Sequence, residues 1–308
     1  MISAALGTGL KRVALRAWVL IRDTYERYDD QRGDLLAAAF SFYSLLSIAP
    51  LAVIAVTIAG LFVDPAEARA ALVSGVERAS SRDIADVLVR GLEAAQSQRV
   101  GIGAAIALFL LLWAASRLFT VLQEGLNQIW GVQPTPAGSV LVSLRRVALK
   151  RLVSFAMVIG CGALLLASLV VQTTMTSVST SLLASVGMSG LQGRLAFVQQ
   201  LGLSLVALTV SFALVFRILP DATVQWRAAW TGGIVTAAMV LLGTVLLSLY
   251  LTRIAPNWLQ GAVGSIAAFV IWSNYLAQVF LLGASLTRVR ATCHGERLEP
   301  EPHAELVT

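Results

Sequence analysis

An all-α, polytopic membrane protein with six transmembrane helices is the fold class this sequence predicts, and three observations predict it. Of 308 residues, 57% are hydrophobic and 13% charged, whereas a soluble domain carries about 45–50% apolar and about 25% charged residues. The apolar residues gather into six runs, each with the roughly 20 residues a helix needs to cross about 30 Å of hydrocarbon. Lys and Arg concentrate in alternate connections between those runs, the asymmetry that orients membrane proteins. This composition excludes a disordered chain and argues against an ordinary soluble enzyme. The alternating polar-in strands of an outer-membrane barrel are absent from the pattern.

Taken in order, residues 1–34 form a cytoplasmic arm. Its Leu10, Val13, Ala14, Ala17, Trp18, Ile21, Tyr25 and Tyr28 keep 3–4 spacing, with Lys11, Arg12, Arg16, Arg22, Glu26 and Arg27 opposite. That pattern predicts an amphipathic helix lying in the membrane interface, its bases near anionic lipid headgroups; a helix docked on the cytoplasmic end of the bundle fits equally. Charges interrupt every apolar run before Leu35, so no cleavable signal peptide is expected. The spans follow at 35–63, 100–122, 152–176, 197–219, 229–251 and 262–287, making a transmembrane domain over 35–287. Their apolar character runs almost all round, as lipid exposure requires. Between the first two spans, 64–99 holds Leu72, Val76 and Ala79, then Ile84, Val87, Leu88, Gly91 and Ala95. Two short amphipathic helices in an external loop fit that spacing, with Ser81 or Asp83 near the second start. The tail 288–308, with two prolines and four glutamates after Gly295, is expected to be disordered and cytoplasmic. No internal repeat supports an inverted-repeat architecture.

Counted by side, fifteen Lys and Arg residues lie in the arm, the second and fourth connections and the tail; seven lie opposite, five of them in a loop that also holds six acids. Both termini are therefore expected in the cytoplasm of a bacterial inner-membrane protein. The formal charge of +6 is a topology signal before it is a nucleic-acid surface, and no nucleic-acid partner is expected. The bilayer is the partner, and oligomerisation is left open.

In lipid, a polar side chain is costly enough to be a functional candidate. On the second span Trp113, Arg117, Thr120, Glu124 and Asn127 recur at offsets that place them on one helical face. Two readings fit: a cationic site for an anionic headgroup or substrate, or snorkelling with an ion pair that locks helices together. Arg217 and Asp221 flank Pro220 at the end of the fourth span, where proline ends or kinks a helix. Arg117 with Asp221, or Glu124 with Arg217, are the pairs that share a membrane side. The first span carries Ser41, Ser44 and Ser47 with Pro50 near its middle, a serine face for helix contacts or a polar path with a hinge. Asn274 and Gln278 stand one turn apart in the sixth span, as an interhelical bond or a transport path. Gly232, Gly233, Gly264, Ala268, Gly283 and Ala284 read as close-approach surfaces.

Catalytic chemistry is poorly supplied. The two histidines, His294 and His303, lie in the tail with Cys293, too few ligands for a zinc site. Cys161 falls inside the third span and Cys293 outside any, so no disulfide is expected. No phosphate-binding glycine loop, nucleophile elbow or acidic cluster for two metals is present. No enzymatic activity, metal or cofactor is expected.

Four segments, AAAFSFYSLLSIAPL (37–51), LWAASRLFTVLQEGLNQIWGV (112–132), RILPDATVQWRAAWTGGIVTA (217–237) and GSIAAFVIWSNYLAQVFLLGASL (264–286), together resemble the YihY/BrkB family of bacterial inner-membrane proteins. The resemblance covers about residues 20–290 in family order. It implies six transmembrane helices and labels such as virulence factor and transporter; an older ribonuclease label lacks the residues a nuclease needs here. One departure stands out: the family pattern Gly-Ala-Glu reads Gly283-Ala284-Ser285 in this chain. Any role of that acid is then absent or met by Glu124 or Asp221. The functional expectation is a transport-related membrane protein, acting on a lipid or another amphipathic anion. The alternative is a non-transporting scaffold or envelope-homeostasis factor, and a membrane-tethered ribonuclease comes last.

Overall fold

The computed structural model describes residues 18–59, 120–135, 189–253, 262–293 and 304–306, with single positions at 15, 64, 66, 70 and 73 and others between 160 and 177. Along these residues the chain forms α1 (18–30), α2 (Gly33–Ala59), α3 (120–130), β1 (Val132–Pro134), α4 (Ser189–Ile218), α5 (Trp226–Arg253), α6 (Ala262–Cys293) and β2 (Ala304–Leu306). The isolated positions described between 160 and 177 are helical too.

Three helices among the described residues are long and apolar enough to cross a membrane: Arg194–Ile218, Trp226–Tyr250 and Ile266–Cys293. A third or less of each apolar window is buried against the protein itself. Phe197, Val198, Val206, Leu242, Val245, Leu246 and Leu249 point outward. Large apolar rows of that kind are unfavourable against water and at rest against hydrocarbon. These helices correspond to the expected fourth, fifth and sixth spans, and α2 to the first. Most of the expected second and third spans and of the external helical loop lies outside the described residues. In that loop Asp64 accepts a hydrogen bond from the Ala66 amide (2.8 Å), an N-cap for the helical positions that follow.

Helix ends follow local chemistry. α4 stops at Ile218 because Pro220 has no amide hydrogen to continue the ladder, and the last backbone bond runs from Leu219 to Val215. Pro220 thus ends the helix, whereas α2 remains helical through Pro50. α3 ends at Gly131, whose φ of 67° is the left-handed conformation glycine favours after a helix. Between α1 and α2, Arg32 takes φ 51° and its carbonyl accepts the Leu35 and Leu36 amides.

Two sequence expectations are corrected. The tail is not wholly irregular: α6 continues to Cys293, and Ala304–Leu306 pairs antiparallel with Val132–Pro134, so a two-stranded ribbon is added to the expected all-α fold. The reason is local. Val132 leaves α3 extended and buried, with a free edge, and an edge strand takes up a partner wherever chain is within reach.

The chain divides into two compact units, Met1–Gln31 with Leu126–Leu242 and Val279–Thr308, and Arg32–Gly125 with Gly243–Gln278. In the first, Trp130, Val132, Val224 and the alanines 213, 222, 228, 229 and 291 form a buried cluster, small residues closing around one large ring. Phe212 and Phe216 stack, and Phe280 packs tilted against both, with 5.1 Å between the Phe216 and Phe280 centroids.

α5 and α6 touch in this unit through two matching modules. Thr236 donates to the Gly232 carbonyl and Thr287 to the Gly283 carbonyl, both at 2.8 Å and one turn back in their own helices. Each threonine stands over the other helix's glycine, so a Cβ on Gly232 would overlap Thr287 and one on Gly283 would overlap Thr236. Small residues permit this backbone approach, as in membrane helix pairs generally. In the second unit, Ser41 of α2 donates to the Val270 carbonyl of α6 (2.9 Å), and the Tyr275 ring lies where a Cβ on Gly243 would be.

Candidate functional site

The polar residues singled out in the sequence separate into a paired group and an open one. At the end of α3, Asn127 is buried and Glu124 is exposed, although both were expected on one stripe. Asn127 Nδ2 donates to Asp221 Oδ2 (2.9 Å), and Asn127 Oδ1 accepts the Asp221 amide (2.8 Å). The amide thereby satisfies the side chain and backbone of a buried acid, which would otherwise be very costly. Thr120 is half-buried on the same helix. Trp113 and Arg117 lie outside the described residues, so the Arg117–Asp221 pair does too.

Arg217 is held differently from the expected Glu124 partnership. Its Nη1 donates to the Val224 carbonyl, and its guanidinium lies 4.5 Å from the Trp226 ring centroid. A carbonyl and an aromatic face thus take the place of a carboxylate.

The serine face of α2 divides. Ser41 bonds across to α6, Ser47 donates back to Tyr43 (2.6 Å), and Ser44 is half-buried without a hydrogen bond among the described residues. Ser285 is fully buried and donates to the Leu281 carbonyl (2.9 Å).

Asn274 and Gln278 form the open group. Gln278 Nε2 donates to Asn274 Oδ1 at 2.8 Å, within α6 itself. Both side chains are half-buried. Asn274 Nδ2 and Gln278 Oε1 make no further hydrogen bond among the described residues.

Sequence reasoning missed the junction of α1 and α3. Arg27 Nε and Nη2 both donate to the Ile129 carbonyl (3.1 and 2.8 Å), while Gln128 Nε2 donates to the Gln31 carbonyl (3.1 Å). Each side chain caps the C-terminal end of the other helix, where backbone carbonyls lack partners. α1 therefore docks through Thr24, Arg27 and Tyr28, and leaves Leu15, Trp18, Ile21 and Tyr25 exposed. Exposed Arg22 pairs with Glu26 (2.7 Å), which favours its charged form. Among the described residues, no group of three His, Cys, Asp or Glu side chains is placed to hold a metal ion.

The sequence has relatives among known proteins. The family described as virulence factor BrkB matches residues 24–307. The chain belongs to the BrkB family. It is 27% identical over 271 residues to a UPF0761 membrane protein of Albidiferax ferrireducens, covering 85% of this chain and 60% of that protein. A UPF0761 membrane protein of Verminephrobacter eiseniae is 28% identical over 268 residues, with the same shares. One from Pseudoalteromonas translucida is 28% identical over 289 residues, covering 90% of this chain and 86% of the relative. The chain thus spans about 60% of the length of the first two relatives. No solved structure matches it. Family, apolar helices and membrane-protein relatives agree that this BrkB-family chain is an integral membrane protein.

Proposed function

We propose that this BrkB-family protein is a transport-related, non-enzymatic protein of the bacterial cytoplasmic membrane that moves an amphipathic anion, of which a lipid is the leading example. Six spans with both termini in the cytoplasm complete the reading, supported by the distribution of Lys and Arg. The exposed Trp18, Ile21 and Tyr25 of α1 support a helix at the interface, with Arg22 near anionic headgroups. One observation carries the transport reading. Among the described residues, Asn274 and Gln278 bond only to each other in the middle of an apolar helix, leaving a donor and an acceptor without a partner there. Open amide groups are strongly disfavoured against hydrocarbon, and are at rest where water or a polar solute reaches them.

Proteoliposomes carrying a fluorescent phosphatidylglycerol test this reading. Dithionite quenches outer-leaflet probe only, so transport brings the quenched fraction well above half. Asn274→Leu with Gln278→Leu is expected to return it to the level of protein-free vesicles. Wild-type protein that leaves the quenched fraction at the protein-free level contradicts the proposal.

A scaffold without transport is the second reading. The reciprocal Asn127–Asp221 pair and the Ser41–Val270 bond favour it, since polar groups so satisfied hold helices together.

A further inference from the structure

We propose that Arg27 and Arg288 form a binding site for a phosphate-bearing anion where α1 meets the ends of α3 and α6. Arg27 is fixed on the Ile129 carbonyl. Arg288 lies over the ring of the next residue, Trp130, 5.6 Å from its centroid. Both guanidiniums are half-buried and rest on consecutive residues at the end of α3, Arg27 on Ile129 and beside Gly131, Arg288 over Trp130. Among the described residues, neither forms an ion pair. Of the acids of α1, Asp29 and Asp30 are exposed and form none with them, Asp23 forms none either, and Glu26 is engaged by Arg22.

Helix ends offset part of this charge. A helix C-terminus carries about half a negative charge, felt within its last turn. α1 and α3 together therefore supply about one unit against two full cations. α6 ends five residues beyond Arg288, more than a turn away. Among the described residues about one positive charge remains, half-buried, where desolvation makes an uncompensated cation costly.

Unused donors point the same way. Arginine has five N–H groups in a planar fork. Arg27 uses its Nε and Nη2 on one carbonyl, and Arg288 makes a single long bond to Thr292 (3.4 Å). Beneath Arg288, the Trp130 Nε1 is the one buried side-chain polar atom without a partner among the described residues. Two forks with free N–H groups and a net positive charge suit the three oxygens of a phosphate group, which bind arginine bidentately. That phosphate belongs either to a lipid headgroup or to a soluble phosphate. The site uses neither Asn274 nor Gln278, so it stands or falls independently of transport.

The test uses the full chain in a neutral detergent and in nanodiscs. Phenylglyoxal labelling of arginines, read by mass spectrometry residue by residue, is run with and without inorganic phosphate. Phosphate is expected to slow labelling at Arg27 and Arg288 at least fivefold while leaving exposed Arg253 unchanged. Protection by phosphatidylglycerol nanodiscs but not by phosphate, measured against phosphatidylcholine nanodiscs, identifies the lipid headgroup as the source. Protection by phosphate in detergent identifies a site open to soluble anions. Arg288→Gln is expected to weaken phosphate or phosphatidylglycerol binding about tenfold, with Arg253→Gln unchanged. Equal labelling under all conditions overturns the site, and because it is read on the wild-type chain, it does so even where Arg288→Gln fails to fold.

Discussion

Asn127 and Asp221, 94 residues apart, exchange two hydrogen bonds out of reach of water. Removing one partner leaves the other's polar groups buried and unsatisfied. Asp221→Ala should therefore cost about 1–3 kcal/mol, read as a lower thermal midpoint in detergent. Asn127→Asp is the sharper probe. It puts a second carboxylate beside Asp221, and two acids sharing a site cannot both ionise cheaply, so one is raised above the ordinary carboxylate range in the folded state. A raised folded-state value stabilises below the unfolded value and is lost as pH rises through the folded one. The variant should thus be least stable at neutral pH and recover towards wild type on acidification to about pH 4, whereas Asp221→Ala should show no such recovery. Sequence reading placed Asp221 at the end of a span but sought a cation for it. Charge sign suggests Arg as partner; only geometry brings a neutral amide with both a donor and an acceptor to the same acid. Likewise Arg27 was visible as one base on a polar helix face, and its bond to Ile129 depends on where α3 ends.

At the scale of elements, helix pairing is set by small residues. The glycines of α5 and α6 were legible as close-approach surfaces. The threonines four residues after Gly232 and Gly283 were not, although the matching Gly-x-x-x-Thr spacing is present in both helices. Gly283→Ala should force a Cβ into Thr236 and Phe216 and cost about 1–3 kcal/mol, as overpacking does. Combining it with Thr236→Ala removes the main overlap. The double variant should be more stable than the sum of the single effects by about 1 kcal/mol, the coupling a double-mutant cycle reads for residues in contact. Strict additivity would mean that α5 and α6 do not approach at this point. The positions of the three long apolar helices α4, α5 and α6 were legible because hydropathy marks them. The strand at Ala304–Leu306 was not, since three residues flanked by prolines and acids carry no strand pattern and depend on the edge that Val132 offers.

For the whole molecule, the distribution of Lys and Arg predicts which side of the membrane each end of the chain faces. Cys293 is exposed at the end of α6. In a Cys161→Ser background, a membrane-impermeant maleimide should label Cys293 in inverted vesicles and leave it unlabelled in intact spheroplasts. The reverse pattern would invert the topology inferred from Lys and Arg. The fold class was legible from composition because a chain this apolar has few alternatives. Whether polar groups within it hold helices or line a path was not legible, since a serine or amide at a given helical spacing serves either role until its partners are seen. Among the described residues, Ser41 and Ser47 find backbone carbonyls, while Asn274 and Gln278 find only each other.

Accessibility of that amide pair tests the transport reading most directly. With Cys161 and Cys293 replaced by Ser and a single cysteine at position 274, the impermeant maleimide is applied to inverted vesicles and to intact spheroplasts. A chain retaining only Cys293 serves as the labelling control. The account predicts labelling at 274 from at least one side, at a rate within about tenfold of the control and slowed by Gln278→Leu. Full protection at 274 from both sides, with the control labelled normally, would contradict a water-accessible path and leave the scaffold reading in its place.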